Sequence, residues 1–168
     1  MKRFSIACGI LSLCFVLAGC ESNSREGLID DTVGMMNTAA GNIGNIKKSV
    51  DDAVSNYKSG KTQKLDLSEA IKATDKLKET GAKTTIEIKA RIDIAKAQQI
   101  SDQERSTYAE NKQEALNAAF KLLLTKQDDL RKAMDAARKC GAPNAAQAVD
   151  ELHRKYVEAE SPFEAIAR

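Results

Sequence analysis

Along most of the chain, apolar residues return every three or four positions, the spacing that lines one face of an α-helix. Ile29, Val33, Met36, Ala40 and Ile43 are spaced four, three, four and three, and Ile46, Val50, Val54 and Tyr57 carry the stripe on after one phase slip. The pattern predicts a long first helix beginning near Leu28. Gly34, Gly41 and Gly44 fall inside it, and each weakens a helix by up to about 1 kcal/mol relative to Ala. Close approach of a neighbouring helix explains them more simply than a hinge does. The polar stretch 59–64, Ser-Gly-Lys-Thr-Gln-Lys, closes this helix, and Asp66 followed by Glu69 is the signature of a new start.

The second helix is modest at first, with Leu67, Ile71 and Leu77 apolar and Gly81 a point of weakness. From Ile86 to Ile94 the pattern changes. Ile86, Ile88, Ala90, Ile92 and Ile94 alternate with Glu87, Lys89, Arg91 and Asp93, as in a half-buried strand. No other segment repeats that alternation to supply a partner strand, so a helix is the preferred reading. Read as a helix, it places Ile86, Ala90, Ile94 and Ala97 on one side and Ile88, Ile92 and Ala95 on the other. A helix apolar on two faces sits between partners, within its own bundle or against another molecule.

Ser101-Asp102-Gln103-Glu104 forms a second capping box ahead of a third helix. In that helix Leu116, Phe120, Leu123, Leu130, Met134 and Ala137 follow a seven-residue repeat interrupted by Gln127. Leu122 and Leu124 are expected to widen its apolar face, and Cys140, Gly141 and Pro143 mark its end. Asn144, Gln147, Val149, Leu152 and Tyr156 outline a shorter fourth helix, with Ser161-Pro162-Phe163-Glu164 opening one last turn. Opposite charges four apart, Glu79 with Lys83, Glu87 with Arg91, Asp128 with Lys132 and Glu151 with Lys155, mark solvated faces. The fold class is all-α: an elongated antiparallel bundle of three to four helices, with helices of about 30 residues some 45 Å long.

Upstream of this body, Lys2 and Arg3 precede an apolar run from Phe4 to Val16, too short to span a bilayer as a helix and shaped like an export signal. Leu17-Ala18-Gly19-Cys20 follows. This segment resembles the lipobox of bacterial lipoproteins. The resemblance covers these four residues and the run before them, and it implies cleavage before Cys20. It further implies a thioether-linked diacylglycerol on the Cys20 thiol and, in many bacteria, an acylated amino group. Two or more chains suffice for stable anchoring to a membrane. Glu21 stands where an Asp commonly signals retention at the inner membrane of lipoproteins of this kind. In a cell with two membranes, the resemblance therefore favours the outer one, facing the periplasm. The chain then divides into a signal at 1–19, a lipidated Cys20 with a polar tether at 20–27, and a helical domain at 28–168.

Cleavage changes the charge. The whole chain has 26 basic and 24 acidic side chains, but Lys2 and Arg3 leave with the signal, so the 149 residues from Cys20 onward carry 24 of each. A neutral surface with alternating charges argues against a nucleic-acid partner, which calls for clustered Lys and Arg. Cys8 and Cys14 leave too, so with Cys20 lipidated Cys140 is alone and no disulfide within the chain is expected; as the end of an apolar stripe it is expected to be buried.

No cluster of residues states a chemistry. His153 is the single histidine and lies among polar neighbours, which makes neither a triad nor a metal cage. Gly41-Asn42-Ile43-Gly44 has no Gly-Lys-Thr in register, and Ser59-Gly60-Lys61-Thr62 lacks the earlier glycine and preceding strand of a phosphate loop. Arg168 stands in place of the terminal lysine by which the murein lipoprotein joins peptidoglycan. No metal, cofactor or catalytic residue is expected. The chain reads as a membrane-anchored, non-catalytic lipoprotein of the cell envelope. Its body would be a scaffold or a surface for an envelope partner or a second copy, with Ile88 and Ile92 as the docking residues. The alternative is a helical module that binds a lipid or small apolar ligand.

Overall fold

The computed structural model describes the backbone of residues 22–97 and 102–164 and the side chains of 30–82 and 114–160. Among the described residues four helices follow one another: α1 (Ser22–Lys58), α2 (Ser68–Ala97), α3 (Asp102–Arg138) and α4 (Ala145–Glu164). No strand occurs among the described residues. The protein is an all-α helical bundle. Helix α1 packs along both α2 and α3, while α4 lies against α2 and touches α3 more lightly. Around the core the order is therefore α1, α2, α4, α3. The short connections at 59–67 and 139–144 meet at one end of the bundle, so α1 and α2 run antiparallel, as do α3 and α4, while α1 runs parallel to α3 and α2 to α4.

The first apolar stripe forms the core. Met36, Ala40, Ile43, Ile46 and Val50 are buried, and Val33, Val54 and Tyr57 pack partly buried against them. Thr32, Met35 and Ala39 are buried as well, because a helix with neighbours on two sides hides a wider arc than one stripe. Leu77 on α2, Leu116, Leu123, Leu130, Met134 and Ala137 on α3, and Val149, Leu152 and Tyr156 on α4 complete the interior.

Several expectations are resolved or revised. Residues 86–94 are helical and continuous with the rest of α2, which also passes through Gly81 without a break. In a sheet the alternation would have needed a partner strand; in a helix the backbone satisfies itself. Leu122 and Leu124 do not widen the core face. They are 41% and 37% exposed, since each lies about 100° to one side of buried Leu123 and α3 has only one extensive neighbour. Gly34, Gly41 and Gly44 are not sites of close helix approach: a Cβ built at any of them would meet nothing within 4 Å. Helix α1 begins at Ser22, so part of the segment read as a tether has helical backbone. Helix α4 runs through Ser161 and Pro162 to Glu164 as one element, because a proline so near the end removes little of the hydrogen-bond ladder.

The end where the connections meet is tied side chain to backbone. The Leu65 N–H donates to Asn144 Oδ1 at 3.0 Å, and Asn144 Nδ2 donates to the Leu65 carbonyl at 2.9 Å. Asn144 stands at the N-cap of α4, where its carbonyl accepts from the Ala148 amide at 3.0 Å, but its side chain serves the other loop. The Tyr57 hydroxyl donates to the Gly141 carbonyl at 3.0 Å. Gly60 (φ 74°) and Gly141 (φ 90°) make the two turns in the left-handed region that favours glycine. At the start of α2, the Asp66 carboxylate accepts from the Ser68 amide at 3.0 Å. That contact caps the helix and holds the Asp66 carboxyl below its ordinary range.

Candidate functional site

Ile88 and Ile92 are one turn apart on the C-terminal half of α2, so they share a helical face. Their side chains lie outside the described residues, as do Cys20 and the segment before it. Ser101, read as the cap of the third helix, is outside as well, while α3 starts at the next residue, Asp102.

Among the described side chains, the polar group with the most unusual setting is inside the bundle. Gln127 on α3 is 3% exposed and Glu160 on α4 is 6% exposed. Gln127 Nε2 donates to Glu160 Oε1 at 3.3 Å, while Gln127 Oε1 is buried with no hydrogen-bond partner. Tyr156, one turn before Glu160, is wholly buried. Burial first, and then the negative charge of Glu160, hold the Tyr156 hydroxyl far above its ordinary value of 10.0. A second, partly buried polar contact joins α1 to α2, where Asn42 Nδ2 donates to Thr80 Oγ1 at 3.3 Å. Sequence reasoning saw Gln127 only as an interruption of the repeat. The signal for its partner was present: continuing Val149, Leu152 and Tyr156 by one more turn places Glu160 on the core face.

The remaining polar groups with chemical potential are dispersed. His153 is exposed on α4, and Cys140 carries a free thiol that is partly rather than fully buried, packed against the core. Gly41 to Gly44 lie in mid-helix, and Gly60-Lys61-Thr62 lie in the connection after α1. Among the described residues, no group of three or more His, Cys, Asp or Glu side chains converges to hold a metal ion, and no helix is long and apolar enough to cross a membrane.

Ion pairs line the outside. Asp128 lies 2.6 Å from Lys132 and 2.7 Å from Arg131. These contacts hold the carboxyl of Asp128 below, and both cations above, their ordinary ranges. Lys155 lies 3.7 Å from Glu158, which also pairs with Arg154 at 2.6 Å. Arg138 and Asp150 pair across the α3–α4 connection. Exposed pairs of this kind are screened by solvent and add little to stability. Set against protein-family models, curated proteins and solved structures, the chain finds no match in any of the three.

Proposed function

We propose that this chain is a lipid-anchored lipoprotein of the bacterial cell envelope, whose non-catalytic helical bundle serves as a scaffold or docking surface for another envelope protein. The observation that carries the reading is the tripartite segment ending in Leu17-Ala18-Gly19-Cys20: a basic start, an apolar run too short to span, and small residues before a cysteine. The doubly apolar stretch from Ile86 to Ala97 supports a docking role, because a helix with two apolar faces leaves one to cover once its own bundle has taken the other.

The anchor is tested by mass spectrometry of the mature amino terminus and by a Cys20→Ser variant. The expected results are a diacylated cysteine in the parent, and a variant that is neither cleaved nor sedimented with envelopes as a mature form. An unmodified terminus, or a variant still processed and still membrane-bound, refutes it. Docking is tested by crosslinking and affinity purification from membranes. Ile88→Asp and Ile92→Asp should remove the co-purified partner while the circular dichroism spectrum stays helical. Loss of the helical spectrum would make these residues ordinary core.

A further inference from the structure

We infer that the end of the bundle where the two connections meet is a docking surface for an anionic lipid bilayer, held by Lys58, Lys61, Lys64 and Lys139. The whole chain is close to neutral, with 26 basic and 24 acidic side chains, yet its charges are not evenly spread. Residues 53–65 contain three lysines and no acid, and residues 136–149 contain Arg138, Lys139 and no acid. The Tyr57 bond to Gly141 and the Leu65 bonds to Asn144 hold these two stretches together, so the five cations share one end. All five are exposed. Asp66 and Asp150 stand at the rim, but Asp66 caps α2 through the Ser68 amide and Asp150 pairs with Arg138. The lysines are left as unmatched charge: among the described residues none of the four forms an ion pair.

The chemistry of this end selects a bilayer over other anions. A protein partner calls for an apolar or aromatic centre, and single-stranded nucleic acid for exposed rings on which bases stack. The exposed large apolar side chains, Leu122, Leu124 and Val157, lie about three turns or more down α3 and α4. Tyr57 spends its hydroxyl on Gly141 and packs against the core. Lysine carries a compact charge on a flexible stem, which suits scattered headgroups better than the fixed fork of arginine does. Near an anionic leaflet each lysine strengthens attachment by roughly fivefold. This attachment needs no lipid on Cys20.

Vesicle sedimentation tests this. The full chain, carried in phosphatidylcholine nanodiscs, is mixed with sucrose-loaded vesicles of phosphatidylcholine alone or with roughly one-third phosphatidylglycerol. At about 50 mM salt the anionic vesicles should bring down at least about tenfold more chain than the neutral ones, a gain lost at about 500 mM salt. Lys58→Gln, Lys61→Gln, Lys64→Gln and Lys139→Gln combined should lower binding to the level of neutral vesicles. The same change at Lys48, Lys76, Lys78 and Lys121, exposed on the sides of α1, α2 and α3, should cost at most about twofold. Loss confined to the first variant supports the docking surface. Equal sedimentation with both kinds of vesicle, or equal loss in the two variants, overturns it. Lysine-dependent binding to polyglutamate that is tighter than to the anionic vesicles overturns the bilayer as the partner.

Discussion

Replacing Gly34, Gly41 and Gly44 of α1 with alanine should make the protein more stable, and the same change at the turn glycines Gly60 and Gly141 should make it less so. At Gly34, Gly41 and Gly44 the backbone is helical and the added methyl would stand in open space. The substitution then keeps every native contact and removes conformational freedom from the unfolded chain, with a gain of about 0.4–1 kcal/mol at each site. The triple variant should gain about 2 kcal/mol, which for a chain of this length raises Tm by about 4–8 °C. Gly60 and Gly141 also have room for a Cβ, but their positive φ makes an L side chain strained, at a cost of about 1–2 kcal/mol each. Urea titration and thermal melts followed by circular dichroism at 222 nm read both effects. The two groups of glycines differ in backbone conformation and not in space, so the opposite signs isolate the cause. A triple variant with unchanged or lowered stability would refute the reasoning, because it would mean that the outer face of α1 is covered in the native protein.

Two further outcomes follow from buried polar groups. Asn144→Ala leaves the N–H and carbonyl of Leu65, itself 2% exposed, without partners and should cost about 2–4 kcal/mol in urea unfolding; Asn144→Asp keeps the acceptor alone and should cost about half as much. Tyr156 holds its proton in the folded state well above 10.0 but not in the unfolded chain, so above pH 10 the native state binds more protons and stability falls as pH rises, by at most about 1.4 kcal/mol per pH unit. This contribution is complete below pH 10, and Tyr156→Phe should flatten the alkaline decline in a urea series from pH 9 to 11; identical slopes for parent and variant would rule the assignment out.

Local periodicity made most of the fold legible. The stripes of α1 and α4 name their buried residues because a helix that must hide one side repeats apolar residues at its own pitch. The alternation at Ile86 to Ile94 was ambiguous, since residues two apart fall on opposite sides of a helix as readily as on one side of a strand. Neighbourhood was harder to read. That α3 would leave Leu122 and Leu124 exposed, and that the outer side of α1 would hold its glycines, depends on which helices sit beside which. The partnership of Gln127 with Glu160, and of Asn144 with Leu65, likewise joins residues far apart in sequence. A single chain records each partner but not their meeting.

The antiparallel course of α1 and α2 also fixes which features share an end of the rod. Thirty-seven residues at about 1.5 Å each separate Ser22 from Lys58 by roughly 55 Å, so the Asn144 clamp and both turn glycines form a tip remote from Ser22. Ile88 and Ile92, near the finish of α2, return toward the opposite extremity. With Cys20 acylated and the rod upright, a protein that grips those isoleucines would meet this one close to the lipid, and the tip would stand clear at nearly twice the depth of a bilayer's hydrocarbon core.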